Sequence, residues 1–210
     1  MNHVVLLGDS VFDNAAYVPR GASVVLHLRA ELGTSWKASS LAVDGNVTRQ
    51  VADQLEGLPS DTTHLVVSAG GNDALQQASV LSEDAQSVAG VLHRMSDVAR
   101  GFEQDYLRMI AAIIPHRKPT ALCTIYYPSF DEEERQRASV AALTVFNDCI
   151  VRTAAAHGFP LLDLRLICND RQDYAHEIEP SDSGGMKIAC AIKRLLTEHN
   201  FRAQRATIYV

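Results

Sequence analysis

Short apolar runs rich in Val, Leu and Ile alternate along this chain with longer stretches in which apolar residues return every three or four positions. The runs fit buried strands and the stretches fit helices with one face on a core. Their alternation predicts an α/β protein, a three-layer α/β/α sandwich with parallel strands inside. Five parallel strands are expected, near 3–7, 36–42, 64–68, 120–126 and 160–162, each closed by turn-forming or polar residues. Helices are expected over 21–32, 47–55, 82–114, 132–157 and 184–198. The third exceeds a usual helix length and holds Gly90 and Gly101, which predicts at least one break. Within it Val88, Val91, Leu92, Met95 and Val98 recur at helical spacing and are expected to face the core. Asp131 to Glu134 place negative charge at a helix start, where the helix dipole favours it.

Composition sharpens this picture. With 210 residues and 47% hydrophobic content, the chain can bury one substantial core. Residues 1–200 read as one domain and 201–210 as a tail, basic and then apolar. The net charge of −6 argues against a surface that neutralises many phosphates, so no nucleic-acid partner is expected. No stretch approaches the ~18 consecutive apolar residues of a membrane span. The opening MNHVVLLGDS has no basic region ahead of a long apolar one, so a cytoplasmic location is expected. Cys123, Cys149, Cys168 and Cys190 show no C-x-x-C spacing and read as buried thiols. The eight histidines show no metal-ligand spacing, and neither a metal nor another cofactor is expected. A homodimer is compatible with the sequence, which carries no signal for or against it.

In open parallel α/β sheets, ligands bind beyond the carboxyl ends of the strands. Three such places carry chemistry. After the first strand comes Gly8-Asp9-Ser10, where glycine permits a tight turn and Ser10 is expected at the mouth of a helix with its hydroxyl exposed. After the second comes Asp44-Gly45-Asn46, where glycine lets a backbone N–H approach a ligand. After the third comes Gly70-Gly71-Asn72-Asp73, with a side-chain amide on a glycine-rich turn. The N–H groups of Ser10 and Gly45 and the Asn72 amide can converge on one developing oxyanion. Singly, each signal is also a common turn or cap.

Taken together, these blocks resemble those of the SGNH (GDSL) hydrolase superfamily. Gly8-Asp9-Ser10 looks like its nucleophile block, Gly45 its glycine and Gly70-Gly71-Asn72-Asp73 its G-x-N-D block. Thr124 to Pro128 resembles the end of the family's fourth strand, and Gly184 to Ala189 the start of its last helix. The resemblance implies a flavodoxin-like fold and cofactor-free ester hydrolysis. It further implies a small-molecule substrate, an acyl or acetyl ester, and Ser10 as nucleophile. Tyr127, Pro128 and Phe130 are candidates for a substrate-pocket wall and equally for plain core.

The family's last block, D-x-x-H, is altered. Counting back from Gly184, Glu179 takes the place of the catalytic His and His176 that of the orienting Asp. Three accounts stand open. His176 reaches Ser10 with Asp173 behind it; or Glu179 is the base with His176 as its partner, its pKa raised by burial beside Ile178; or Glu179 is merely structural. The third leaves a weak or inactive protein that binds an acyl or carbohydrate ligand.

Overall fold

The computed structural model describes residues 1–84, 86–203 and 205–210. Six parallel strands form one sheet: β1 Asn2–Gly8, β2 Trp36–Ser40, β3 His64–Ser68, β4 Thr120–Cys123, β5 Leu161–Leu162 and β6 Ile208–Tyr209. Their order across the sheet is β2-β1-β3-β4-β5-β6. The helices are α1 Val24–Leu32, α2 Val51–Gln54, α3 Gly71–Gln76, α4 Val88–Ile113, α5 Glu133–His157, α6 Leu164–Ile167 and α7 Asp182–Glu198.

Strand β1 shows why the sheet is covered on both sides. Its side chains alternate faces: Val4 and Leu6 join Val24, Leu28, Ile188 and Ile192 in one core, whereas Val5 and Leu7 join Val51, Tyr106, Ile110 and Ile150 in another. A strand buried on both faces reads as an unbroken apolar run, and VVLL is such a run. Thus α1, α6 and α7 cover one face, and α2, α4 and α5 the other.

Three expectations change. The sheet has six strands rather than five, because Ile208–Tyr209 of the tail pairs with β5. The expected break in the third helix is absent: α4 runs from Val88 to Ile113 through both glycines. A glycine inside a helix costs only about 1 kcal/mol relative to alanine, which a helix anchored by Phe102, Tyr106 and Ile110 tolerates. The chain turns just upstream, where the Ser87 hydroxyl accepts from Gly90 N at 3.0 Å as an N-cap. The expected core stripe is also displaced. Val88 and Leu92 are 78% and 61% exposed, the fully buried residues of α4 begin at Phe102, and of the expected stripe Val98 packs, half-buried, against the core. Among the described residues, no helix is long and apolar enough to cross a membrane.

The strand order reverses direction at β1: β2 lies on one side of it and β3 on the other. Loops leaving the carboxyl ends of adjacent strands diverge at such a point and leave a crevice between them. The residues that follow β1 stand at its edge.

Candidate active site

β1 ends at Gly8, where φ is +132° and a Cβ would lie 1.7 Å from the Ser68 carbonyl oxygen, so no other residue fits. The chain then closes one turn, with Phe12 N and Asp13 N both donating to Asp9 O. Ser10 sits in that turn rather than at the start of an α-helix; a short 3-10 turn follows at Ala15–Tyr17, and the next α-helix, α1, begins only at Val24. Asp9 is buried and accepts from Val11 N at 3.2 Å. Burial pushes its carboxyl up to about 7 against that hydrogen bond, and the charge of Glu179 pushes the same way.

The Ser10 hydroxyl donates to Glu179 Oε1 at 3.2 Å, with both residues 8% exposed. Burial pushes the Glu179 carboxyl up to about 7; the Ser10 hydrogen bond works against this, and nearby Asp44 adds to it. Glu179 Oε2 is buried with no hydrogen-bond partner among the described residues. The loop carrying Glu179 is fixed through its backbone. Ala175 N donates to Glu179 O at 2.8 Å, the Tyr126 hydroxyl to Ile178 O at 2.5 Å, and Asn14 Nδ2 to Pro180 O at 3.4 Å.

His176 stands apart. It is exposed, its ring lies edge-on to Tyr17 with centroids 6.1 Å apart, and among the described residues it hydrogen-bonds neither Ser10 nor Glu179. Asp173 does not turn toward it either. That fully buried carboxylate accepts from Asn169 N, Asp170 N and, at 2.8 Å, Lys187 Nζ, which makes it the internal staple of the loop.

Asn72 lies in the first turn of α3, and its Nδ2 donates to Asn46 O at 2.9 Å. A primary amide has two N–H donors, so one remains for a ligand. Gly45 precedes Asn46 in a turn closed by Asn46 N donating to Val43 O, with φ +80°. Asp73 ties the same two loops together, accepting from both the backbone N–H and the hydroxyl of Thr48. One residue that sequence reasoning missed is Gln54, at the end of α2. Its carboxamide is buried and bonded to both Gly8 and Asn46. A lone glutamine in a short helix carries no signal until the helix is docked.

Ser10, Asn72 and Glu179 line one cavity of about 780 Å³; Gly45 does not. Away from them its walls are largely apolar, with Met95 and Val98 of α4, Ile125, and Ala142, Leu143 and Phe146 of α5. Pro128 and Phe130 line it as well, but Tyr127 does not. Among the described residues, no three His, Cys, Asp or Glu side chains are grouped to hold a metal. The arrangement offers an alcohol, a carboxylate of raised pKa and an amide donor in the wall of a largely apolar chamber.

Residues 6–185 match the GDSL-like Lipase/Acylhydrolase family. No curated protein matches the chain. Among solved structures it is similar to an extracellular lipase from Streptomyces rimosus, at 20% identity and TM-score 0.62, with 89% of this chain and 96% of that one covered. It is also similar to a phospholipase A1 from Streptomyces albidoflavus NA297, at 20% identity and TM-score 0.63, over 91% and 99%. A third similar structure is an acetyl xylan esterase, at 18% identity and TM-score 0.66, over 92% and 99%. At these identities the likeness shows a shared fold.

Proposed function

Because the chain belongs to the GDSL-like lipase/acylhydrolase family, we propose that it is a serine ester hydrolase in which Ser10 is the nucleophile and Glu179 the base. The observation that carries this reading is the Ser10–Glu179 hydrogen bond in the wall of the cavity. An ordinary glutamate is too weak a base at neutral pH. A carboxyl pushed up to about 7 is as basic as an imidazole and well matched to general-base work. Ser10 Oγ attacks the ester carbonyl while its proton passes to Glu179. The Ser10 N–H and the free Asn72 N–H receive the oxyanion; Gly45, which does not line the cavity, supplies no donor in this reading. Protonated Glu179 then gives its proton to the departing alkoxide. Water, deprotonated by the same carboxylate, releases the acid and restores Ser10. His176 takes no part in this sequence.

The apolar chamber is where the acyl chain lies, and its volume suits a medium or long chain better than an acetyl group. Hydrolysis of p-nitrophenyl esters tests the reading. Ser10→Ala abolishes turnover, and Asn72→Ala lowers kcat by roughly 100-fold or more. A Ser10→Ala variant that keeps the parent's rate contradicts it.

A further inference from the structure

We propose that Gln54 is the positioning residue of the oxyanion pocket, a single carboxamide that locks the Ser10 turn to the Asn72 donor through Asn46. This rests on the hydrolase reading of the same site. The three loops that meet there come from separate parts of the chain, and β2 does not pair with β3, since β1 lies between them. Asn72 and Asp73 tie the third loop to the second, and Gln54 ties the second to the first. Its Oε1 accepts from Gly8 N at 2.8 Å, and its Nε2 donates to Gly8 O at 2.7 Å and to Asn46 Oδ1 at 2.9 Å. Gly8 is two residues before the nucleophile, so holding its N–H and C=O together fixes the plane from which the Ser10 turn departs. The same amide nitrogen holds the Asn46 side chain, and the Asn46 carbonyl in turn accepts from Asn72 Nδ2.

Both hydrogens of the Gln54 amide are committed, and the side chain is buried, so it can neither rotate to another partner nor exchange with water without leaving groups unsatisfied. The chain Gly8–Gln54–Asn46–Asn72 therefore sets where the remaining Asn72 N–H points relative to Ser10 Oγ. Precision of this kind matters more to the transition state than to ground-state binding, because a donor displaced by about 1 Å loses much of its effect on an oxyanion while substrate still fills the cavity.

Two substitutions test this. Gln54→Met keeps the length of the side chain and removes every hydrogen bond, whereas Asn46→Ala leaves the Gln54–Gly8 pair intact and cuts only the link to Asn72's partner. Each is expected to lower kcat by about tenfold or more with KM within about twofold. In an Asn72→Ala background the further loss shrinks below about threefold, because the donor being positioned is already gone. A merely structural role gives a different result: lost activity that follows the folded fraction, with the same proportional loss whether or not Asn72 is present. Either variant, folded and with kcat within threefold of the parent, overturns the proposal, as does a full loss in the Asn72→Ala background. If Gln54→Met does not fold, Asn46→Ala decides alone. Turnover that does not depend on Ser10 sinks the hydrolase reading itself, whereas Ser10-dependent turnover indifferent to both variants sinks only the role of Gln54.

Discussion

At the scale of single residues, the site is a balance of charges around one hydroxyl. Glu179 shares its surroundings with Asp9, buried beside it in the same cavity wall, and with Asp44, whose charge opposes a second negative one nearby. As the proposed general base, Glu179 would work in its ionised form, so kcat/KM should rise as pH increases through about 7 and then level off. Burial raises that pKa most and the Asp44 charge adds to it, so Asp44→Asn should move the rising limb toward acid. A pH–rate profile of the two proteins checks this, and an alkaline displacement would contradict it. The hydrogen bond from Tyr17 to Asp44 acts in the same direction on the phenol, whose pKa is raised to about 12, so Tyr17 stays neutral throughout. Ser10 and Asn72 were legible in the sequence because both interrupt it with glycines at strand ends, where few other residues fit. Glu179 was legible only by counting back from Gly184. Which group faces it was not, because the loop's shape is set by Asp173 and Lys187, a pairing that no local motif announces.

At the scale of elements, the two long helices do different work along their lengths. The second half of α4 packs Phe102, Tyr106 and Ile110 into the core, while the first half contributes Met95 and Val98 to the cavity, Val98 also touching the core. Periodicity alone cannot make this division, since a helical stripe reads the same over a core as over a chamber. The small residues of α5 matter here: Ala138 and Ala142 leave room in the cavity wall that a larger side chain would fill. Each methylene buried in an apolar site is worth about 0.8 kcal/mol, close to fourfold in kcat/KM. The parent should thus favour eight-carbon over four-carbon acyl esters. Ala142→Phe should reduce kcat/KM on the eight-carbon ester by at least about tenfold more than on the four-carbon one. Equal losses on both would place the acyl chain elsewhere.

At the scale of the whole molecule, the fold makes the site by topology. β1 is flanked by β2 and β3, and the loops that leave these three strands carry Ser10, Gly45 and Asn72. The alternation of apolar runs with amphipathic stretches was enough to read the layered architecture. The sixth strand escaped because a two-residue pairing in a basic tail has no run of its own. Glu179 arrives from far along the chain, 169 residues after Ser10, and lines the same cavity. The central claim is that this carboxylate, and not an imidazole, activates Ser10. The most direct test is the rate at which an organophosphonate ester labels Ser10, followed from pH 5 to 9 in the parent, Glu179→Gln and His176→Asn. The parent and His176→Asn should show the same single rise near pH 7, and Glu179→Gln should be labelled slowly with no rise there. Fast labelling of Glu179→Gln with the parent's profile, or loss of the rise in His176→Asn, would contradict the account.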